Sequence, residues 1–512
     1  MRMLLPALAC CLTSLAAQQG LAARLGEVTQ RAEFKHATWG LLLVDLANGE
    51  VAHEENADKL FAPASTTKLF SVAAALTALG AEHRFVTRVV RRGEVDRDGT
   101  LRGDLLLLAA GDPTFGGRTD AEGRIAYTSS DHIYSNGNER GKLTEPDPLA
   151  GLDALALQVA KSGIRAVQGE IAVDDRMFEP ESSTGSGPRR VVPLIVNDNL
   201  IDLLITPRLE NEPAQVDWRP RSSLVQVDAQ VTTGPKGSPT EIRVETAAYG
   251  RIVVRGRLAQ GHAPLVRTQE VERPIDFGRG LWIEALRRAG VTVLASPFHA
   301  NSRQALPPPA ETHALPEVGK LESPPFAEEC KLVLKVSHNL HASLLPILLA
   351  TKAGKRTLTE GLQEQRKVLA ELGVPVDTIS FGGGAGGSPA DRTTPRATVA
   401  LLRAIARQST AAAFRAGLPV LGVDGTLANA VGPQSPARGK AQAKTGTYYY
   451  DNPMNGTSLL TSKALAGYLT GKSGREFAFC FVVNGVHLAH EGEADRIGQA
   501  LGTLCEIAFA GL

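Results

Sequence analysis

Residues 63–80 constrain the fold of this chain more than any other stretch. Residues 71–79 are almost entirely Ala, Leu, Val and Thr, so the sequence predicts a buried helix. Pro63 stands where a chain turns into a helix, and Gly80 supplies the stop. Just upstream, Asn48-Gly49 lies between two apolar runs, which predicts a β-hairpin. A hairpin that leads into a buried helix suits an α/β layered fold.

Ser65 and Lys68 suggest chemistry at the start of this helix. Ser65 would open the helix, where unpaired N–H groups and the positive end of the dipole favour developing negative charge. Lys68 lies three residues on, so the amine and the hydroxyl share one face. A partly desolvated lysine can take the proton of a serine and make it a nucleophile. Taken alone, the spacing is equally typical of the start of a surface helix.

Two further motifs favour the chemical interpretation. Ser337-His338-Asn339 lies in a region with helical patterning, and Lys444-Thr445-Gly446 stands at the start of a predicted strand. Ser-x-x-Lys, Ser-x-Asn and Lys-Thr-Gly, in that order along the chain, form the signature set of penicillin-recognising acyl-serine enzymes. The presence of all three, each in a suitable local structure, indicates a serine-type acyl transfer site.

The 512 residues allow two to four domains and a large core. Apolar residues alternate with polar ones over residues 225–231, which is typical of a half-buried strand, and similar patterning recurs up to about residue 271. We therefore predict a strand-rich insertion over residues 91–271. Helical patterning returns over residues 280–286.

The first residues predict an export signal. Arg2 precedes an apolar run at residues 4–12, and Ser14-Leu15-Ala16 offers a small-x-small cleavage site, so residues 1–16 are expected to be removed. Cys10 leaves a lipoprotein as the alternative. No later apolar run is long enough to span a bilayer. We expect a periplasmic or secreted protein.

Composition argues against several other classes. The chain has 55 basic and 54 acidic residues and a net charge of +1, which gives no indication of nucleic-acid binding. The glycine run at residues 382–388 lacks the strand–helix context of a phosphate-binding loop. His487 and His490 have no third ligand in a fitting motif, so we expect neither a metal nor a cofactor. The three cysteines beyond the signal are not a disulfide framework. Cys480 and Cys505 could pair if the strand and the terminal helix pack together, but we expect buried thiols.

From about residue 37 onward the chain resembles the low-molecular-mass penicillin-binding proteins of the D-alanyl-D-alanine carboxypeptidase/endopeptidase type with inserted domains (class C type). Supporting stretches outside the motifs are residues 105–113, 196–199, 423–427 and 483–485. The resemblance implies a β-lactamase/transpeptidase-like domain, with helices packed on an antiparallel sheet, that is interrupted by the insertion. Its two parts would be residues 17–90 and 272–512.

The resemblance also implies a role for each motif residue. Ser65 would be acylated with Lys68 as its base, Ser337 would pass a proton to the leaving amine, and Asn339 would hold the peptide amide. Lys444 would help to position Ser337 and would attract the terminal carboxylate of the substrate, to which Thr445 would form a hydrogen bond. Gly446 completes the third motif, and the N–H groups of Ser65 and Thr447 would form the oxyanion hole. The substrates would be peptidoglycan stem peptides, and β-lactams would be covalent inhibitors.

Three departures from the family pattern concern substrate preference. Ser343 stands where a glutamate is usual, and Gly383 stands where an aspartate is usual. Residues 448–457 form an extra loop, in which Tyr448-Tyr449-Tyr450 is either a stacking surface or loop packing. The alternative functions are a β-lactamase, which the absence of any Leu-Asn pair disfavours, and a non-catalytic cell-wall binding protein.

Overall fold

The computed structural model describes residues 20–512, so the predicted signal at residues 1–16 lies outside the described part. Residues 20–29 form helix α1. The other α-helices are α2 (Thr67–Leu79), α3 (Ala150–Lys161), α4 (Pro274–Arg288), α5 (Pro309–Ala314), α6 (Phe326–Lys331), α7 (Asn339–Lys352), α8 (Leu358–Glu371), α9 (Pro395–Ile405), α10 (Ala411–Gly417) and α11 (Ala494–Gly511). None of the helices described between residues 20 and 512 has the length and hydrophobicity that crossing a bilayer requires.

The strands of the described residues are numbered in chain order. They are β1 (Thr38–Asp45), β2 (Val51–Glu55), β3 (Val86–Val95), β4 (Thr100–Leu108), β5 (Ala166–Val167), β6 (Ile171–Asp174), β7 (Glu181–Ser182), β8 (Arg190–Val191), β9 (Leu200–Thr206), β10 (Gln215–Arg219), β11 (Gln226–Gly234), β12 (Glu241–Ala248), β13 (Arg251–Ala259), β14 (Leu265–Glu270), β15 (Thr292–Val293), β16 (Glu317–Glu322), β17 (Ala441–Asn452), β18 (Thr457–Thr470), β19 (Glu476–Asn484) and β20 (Val486–Leu488).

These elements form two compact units. Unit 1 contains the described residues up to Ala81, together with Cys330–Leu349 and Leu362–Leu512. Unit 2 contains Glu82–Glu329 and Ala350–Gly361. The chain therefore leaves unit 1 after α2, builds unit 2, and returns.

Unit 1 is built on one antiparallel sheet with the strand order β17-β18-β19-β1-β2, and β20 pairs with β18. Helices α1 and α11 pack on one face and bury alternate residues of the central strands, among them Leu41, Leu43, Phe479 and Phe481. On the other face α9 packs against β1, β18 and β19, and α2 packs against α9. The helix α2 is buried from Thr67 to Leu76, as its composition predicts. This confirms the predicted class, helices packed on an antiparallel sheet.

Unit 2 is rich in strands, as predicted. It contains a mixed sheet in the order β15-β5-β4-β3-β16, with β6 beside β4, and two three-stranded sheets, β10-β9-β14 and β11-β13-β12. One large core joins α3, α4 and these sheets around the fully buried Trp282.

The limits of unit 2 are wider than the insertion that the sequence predicts. Strand β3 belongs to unit 2 because it pairs with β4 and β16, although the predicted first part of the transpeptidase-like domain extends to residue 90. Helix α4, placed by the prediction in the second part, packs on α3 and buries Trp282 in the core of unit 2. Helical periodicity shows that a helix has an apolar face, but it does not show which core covers that face.

Candidate active site

Ser65 lies in a short 3-10 turn, Ala64–Thr66, that leads directly into α2. The sequence predicts that the serine opens the helix, and the structure places it just before the first α-helical residue. Ala64 has a φ of 47°, a left-handed conformation that costs energy for a residue with a side chain. The Thr66 hydroxyl donates a hydrogen bond to the carbonyl oxygen of Pro63 over 2.8 Å and fixes the turn.

Lys68 lies in the first turn of α2 and is 0% exposed. Its Nζ donates hydrogen bonds to Ser65 Oγ over 2.8 Å, to Asn339 Oδ1 over 2.7 Å and to the carbonyl oxygen of Ala385 over 2.7 Å. The first distance is within the reach of direct proton transfer. A neutral amine has two hydrogens and a lone pair, so it can keep the bonds to Asn339 and Ala385 while it accepts the proton of Ser65.

The surroundings of Lys68 favour that neutral amine. Burial lowers the pKa of Lys68, and the nearby Lys444 lowers it further, while the carboxylate of Asp391 opposes both effects. The net result is a pKa well below the ordinary value for lysine. A base must be unprotonated to act, and this environment provides that state closer to neutral pH.

Ser337 and Asn339 lie where two helical segments meet. The π-helical segment Leu332–Val336 ends at Ser337, whose φ is 71°, and α7 begins at Asn339. The predicted single helical region is thus broken at the motif. Irregular helix geometry of this kind is frequent at functional sites.

Lys444 lies on β17 and connects the second motif to the third. Its Nζ donates to Ser337 Oγ over 2.8 Å and to the carbonyl oxygen of Thr445 over 2.8 Å. Burial lowers the pKa of Lys444 to about 7. Thr445 donates from Oγ1 to the Oγ1 of Thr426 over 2.7 Å. The site therefore contains two buried lysines, each of which donates a hydrogen bond to a serine hydroxyl.

Gly446 allows β17 to lie against the turn that carries Ser65. A Cβ added at Gly446 would approach the carbonyl oxygen of Pro63 to 2.6 Å and the side chain of Ala64 to 3.2 Å, so only glycine fits there. Thr447 follows and is exposed. All eight residues that the sequence singles out belong to unit 1.

The segment after Thr447 is not the extra loop that the sequence predicts. Strand β17 continues through the tyrosines to Asn452, and β18 already begins at Thr457, so only residues 453–456 form the connection. Aromatic residues favour strands, and Asn-Pro-Met-Asn-Gly supplies the turn. The hydroxyls of Tyr448 and Tyr450 lie 2.7 Å apart.

Sequence reasoning missed three contributors to the site: the carbonyl of Ala385, the hydroxyl of Thr426 and the carboxylate of Asp391. Ala385 belongs to the glycine run at residues 382–388, where the sequence indicates no phosphate-binding loop and, at Gly383, a departure from the family pattern. Glycine is also typical of positions where one backbone segment lies close to another, so the same run could have predicted a loop packed against a neighbouring segment. Cys480 and Cys505 do not form the possible disulfide, and the expectation of buried thiols is confirmed, since both are free and buried.

Comparison with known proteins gives a consistent picture. The sequence profile of the D-Ala-D-Ala carboxypeptidase 3 (S13) family matches residues 21–503. A D-alanyl-D-alanine carboxypeptidase from Actinomadura sp. (strain R39) is 30% identical over 480 residues, which cover 90% of this chain and 79% of that protein. The D-alanyl-D-alanine carboxypeptidase DacB of Haemophilus influenzae is 23% identical, with 87% and 85% covered.

Solved structures show the same fold. The crystal structure of penicillin-binding protein 4 from Haemophilus influenzae superposes with a TM-score of 0.68 at 20% identity, over 93% of this chain and 98% of that one. The same protein in complex with a β-lactam gives a TM-score of 0.65 at 20% identity, over 94% and 98%.

Proposed function

Because the chain belongs to the D-Ala-D-Ala carboxypeptidase 3 (S13) family, and is a serine-type D-Ala-D-Ala carboxypeptidase, we propose that Ser65 is its nucleophile and that unit 1 is its catalytic domain. The observation that carries this proposal is the contact between Lys68 Nζ and Ser65 Oγ, in which a buried lysine of lowered pKa lies 2.8 Å from a serine hydroxyl.

Acylation begins when the Lys68 amine takes the proton of Ser65. The Oγ attacks the carbonyl carbon of the penultimate D-alanine and forms a tetrahedral intermediate with a negatively charged oxygen. The N–H groups of Ser65 and Thr447 would stabilise that oxygen, and loss of one such donor costs about 3 kcal/mol of transition-state stabilisation.

The peptide bond then breaks and the terminal D-alanine leaves as an amine. Ser337 would pass to the leaving nitrogen the proton that Lys68 took from Ser65, and Lys444 would hold the Ser337 hydroxyl in position for this transfer. Water then attacks the ester carbonyl carbon, with the Lys68 amine taking the proton of the water and returning it to Ser65 Oγ as the ester bond breaks, which restores the serine and releases the shortened peptide.

Substrate recognition would fall to the third motif and to Asn339. Thr445 and a protonated Lys444 would bind the terminal carboxylate, and Asn339 would hold the peptide amide next to the scissile bond. The expected substrates are peptidoglycan stem peptides that end in D-Ala-D-Ala, with cleavage of cross-links as a second use of the same site. β-Lactams would acylate Ser65; penicillin-binding protein 4 of Haemophilus influenzae, whose fold this chain shares, has been solved with a β-lactam.

These substrates lie outside the cytoplasmic membrane. We propose that residues 1–16 are an export signal and that the mature enzyme is periplasmic or secreted. Sequencing the N-terminus of the protein recovered from the producing cell should give a start near residue 17, and a start at Met1 would contradict this.

Labelling with a fluorescent penicillin tests the assignment of Ser65. The native protein should form a long-lived adduct and release D-alanine from an N-acylated D-Ala-D-Ala peptide, and Ser65→Ala should do neither. Ser473→Ala, which changes an exposed serine of unit 1, is the matched control and should behave as the native protein does. Rapid turnover of the label would indicate a β-lactamase, and labelling that persists in Ser65→Ala would reject Ser65.

A further inference from the structure

The glycine loop, residues 382–391, is closed by a single carboxylate. Asp391 Oδ1 accepts a hydrogen bond from the N–H of Gly382 over 2.8 Å, and Oδ2 accepts one from the N–H of Ser388 over 3.0 Å. Asp391 is 2% exposed. Each oxygen thus fixes a different part of the loop, and a side chain with one acceptor oxygen could make only one of these bonds.

The closed loop packs against the start of α2. The carbonyl oxygen of Ala385 accepts from Lys68 Nζ over 2.7 Å, and the carbonyl oxygen of Gly384 accepts from the Ser71 hydroxyl over 2.9 Å. A Cβ added at Gly386, whose φ is +89°, would collide with the carbonyl oxygen of Ala64. The loop is therefore a fitted part of the site, and its closure decides where the acceptor for Lys68 lies.

The charges near the two groups have a simple arrangement. The charge of Lys444 on β17 lowers the pKa of Lys68, and the charge of Asp391 raises it. The charges of Lys68 and of its own neighbour Arg392 lower the pKa of Asp391, and the charge of Asp391 also raises the pKa of Tyr448 on β17. Among the charged groups that act on Lys68, Asp391 is the one that favours the ammonium.

We propose that Asp391 is a positioning residue for acylation, because its carboxylate closes the loop that sets the Ala385 carbonyl on Lys68. Its negative charge partly offsets the burial and the Lys444 charge that favour the neutral amine. This inference rests on the proposed role of Lys68 as the base for Ser65. In this role Asp391 contacts neither the substrate nor the hydroxyl of Ser65. It acts through the position and the charge of the lysine.

The expected pH dependence follows from the sign of that charge. An anion near Lys68 raises the pKa of its amine, so less of the base is neutral at low pH. Removal of the charge lowers this pKa, and the acidic limb of the acylation profile should move to lower pH. Burial raises the pKa of Asp391 to about 6, although its two N–H bonds and Lys68 oppose this effect, so the charge is present from about neutral pH upward.

The test measures the rate of acylation by a fluorescent penicillin from pH 5 to 9 in the full-length enzyme. In Asp391→Asn one loop bond and the charge are lost, so the maximal rate should fall several-fold and the midpoint of the acidic limb should move down by about half a pH unit or more. Asp391→Glu keeps the charge, so it should lower the rate but leave the midpoint in place. The matched control is Asp45→Asn, which alters a buried carboxylate of unit 1 that accepts two backbone N–H bonds at the β1–β2 turn.

A midpoint that stays in place in Asp391→Asn, or one that moves equally in Asp45→Asn, would overturn the inference, since Asp391 would then be a structural residue only. If Asp391→Asn does not fold, as judged by thermal unfolding, a midpoint shift in Asp391→Glu would overturn it and an unchanged midpoint would support it. Failure of the native enzyme to acylate at Ser65 would instead reject the proposed function, so the two results are distinct.

Discussion

Each unit of this enzyme buries a cluster of charged side chains, and the two clusters are built in opposite ways. In unit 1, Lys68 and Lys444 are fully buried, and their amines donate hydrogen bonds to hydroxyl, amide and carbonyl oxygens. In unit 2, the guanidinium of Arg118 donates to both oxygens of Asp131, over 2.8 and 2.9 Å, and to Asp198 over 2.6 Å.

His132 completes the cluster of unit 2. Its Nδ1 lies 2.5 Å from an oxygen of Asp202, and its Nε2 lies 2.8 Å from an oxygen of Asp198. Burial lowers the pKa of His132, but the carboxylates of Asp202 and Asp131 outweigh burial and raise the pKa to about 10. Asp131, His132 and Asp198 also have the spacing of metal ligands, yet Arg118 already contacts all three.

The difference shows how burial leads to two outcomes. Where cations are buried with carboxylates, the charged forms are favoured and the cluster holds the fold together. Where two cations are buried near each other with mostly neutral partners, the neutral amine is favoured and becomes available as a base. On this reasoning we propose that unit 1 carries the chemistry and that the cluster of unit 2 is structural.

The largest effect is expected from Arg118→Leu. It leaves two buried carboxylates without their shared guanidinium, and removal of one partner from a buried ion pair costs about 3–5 kcal/mol. Urea unfolding of the full chain should show this loss. Arg124→Leu, which breaks an exposed ion pair in the same stretch, is the matched control and should change stability little. Equal losses in both variants would mean that the buried cluster does not stabilise unit 2.

The pH dependence of stability also tests whether the cluster of unit 2 stabilises the fold through its charged forms. The pKa of His132 is raised in the folded state, so its contribution to stability is fully present below pH 6.5 and is lost as the pH rises through about 10. Nitrogen chemical shifts of the imidazole at pH 8 should be those of the protonated ring. A neutral ring at pH 8 would contradict the comparison.

Substitution of the base in unit 1 comes next. In Lys68→Ala the Ser65 hydroxyl has no base, so acylation should fall at least about 100-fold. Lys68→Arg should lose as much, because guanidinium keeps its proton. Stopped-flow acylation by penicillin measures both, with the exposed Lys367→Arg as control. A near-normal rate in Lys68→Arg would show that the lowered pKa of this lysine is not what activates the serine.

Some of this contrast could be predicted from the sequence and some could not. Motifs of side chains at fixed spacing predicted the three segments that meet in the candidate site, and the composition of α2 predicted its burial. The carbonyl of Ala385 has no such signature, because every residue has a backbone carbonyl and the sequence does not show which one accepts a hydrogen bond from a side chain. The members of the Arg118 cluster are spread over 85 positions, from Arg118 to Asp202, and only the folding of unit 2 brings them together. The role of Thr426 depends equally on a contact between distant segments.

A smaller effect is expected at Lys444 and Thr445, which we propose bind the terminal carboxylate of the substrate. A charge-assisted hydrogen bond contributes about 1.5–3 kcal/mol, so amidation of the terminal D-alanine should lower kcat/KM roughly 10- to 100-fold in the native enzyme. The loss should be much smaller in Thr445→Val, which no longer donates to the carboxylate. Equal losses in the two proteins would show that Thr445 does not recognise this group, and the recognition would then rest with Lys444.

The smallest effect on the fold is expected at the tip of the β17–β18 hairpin, which follows the third motif. Unlike the two buried clusters, this region is exposed. Met454 is 91% exposed, and Tyr449 and Tyr450 are also exposed on β17. The rings of Tyr448 and Tyr450 lie 4.9 Å apart, so they present one amphipathic surface a few residues past Thr447. We expect this surface to contact the peptide or glycan beyond the D-alanine pair.

Replacing residues 448–457 with a short Gly-Ser turn tests that expectation, with Met454→Ser as the control at the tip. The melting temperature should stay within a few degrees, which corresponds to about 1 kcal/mol, because these side chains are not part of the core of unit 1. Penicillin acylation should survive, since it needs only the three motifs. Hydrolysis of long muropeptides should fall more than hydrolysis of a minimal D-Ala-D-Ala peptide. If both substrates lose activity equally, or if the variant unfolds, the hairpin supports the fold of unit 1. The exposed tyrosines would then have a structural role, and exposure would not distinguish side chains that bind the substrate from side chains that stabilise the fold.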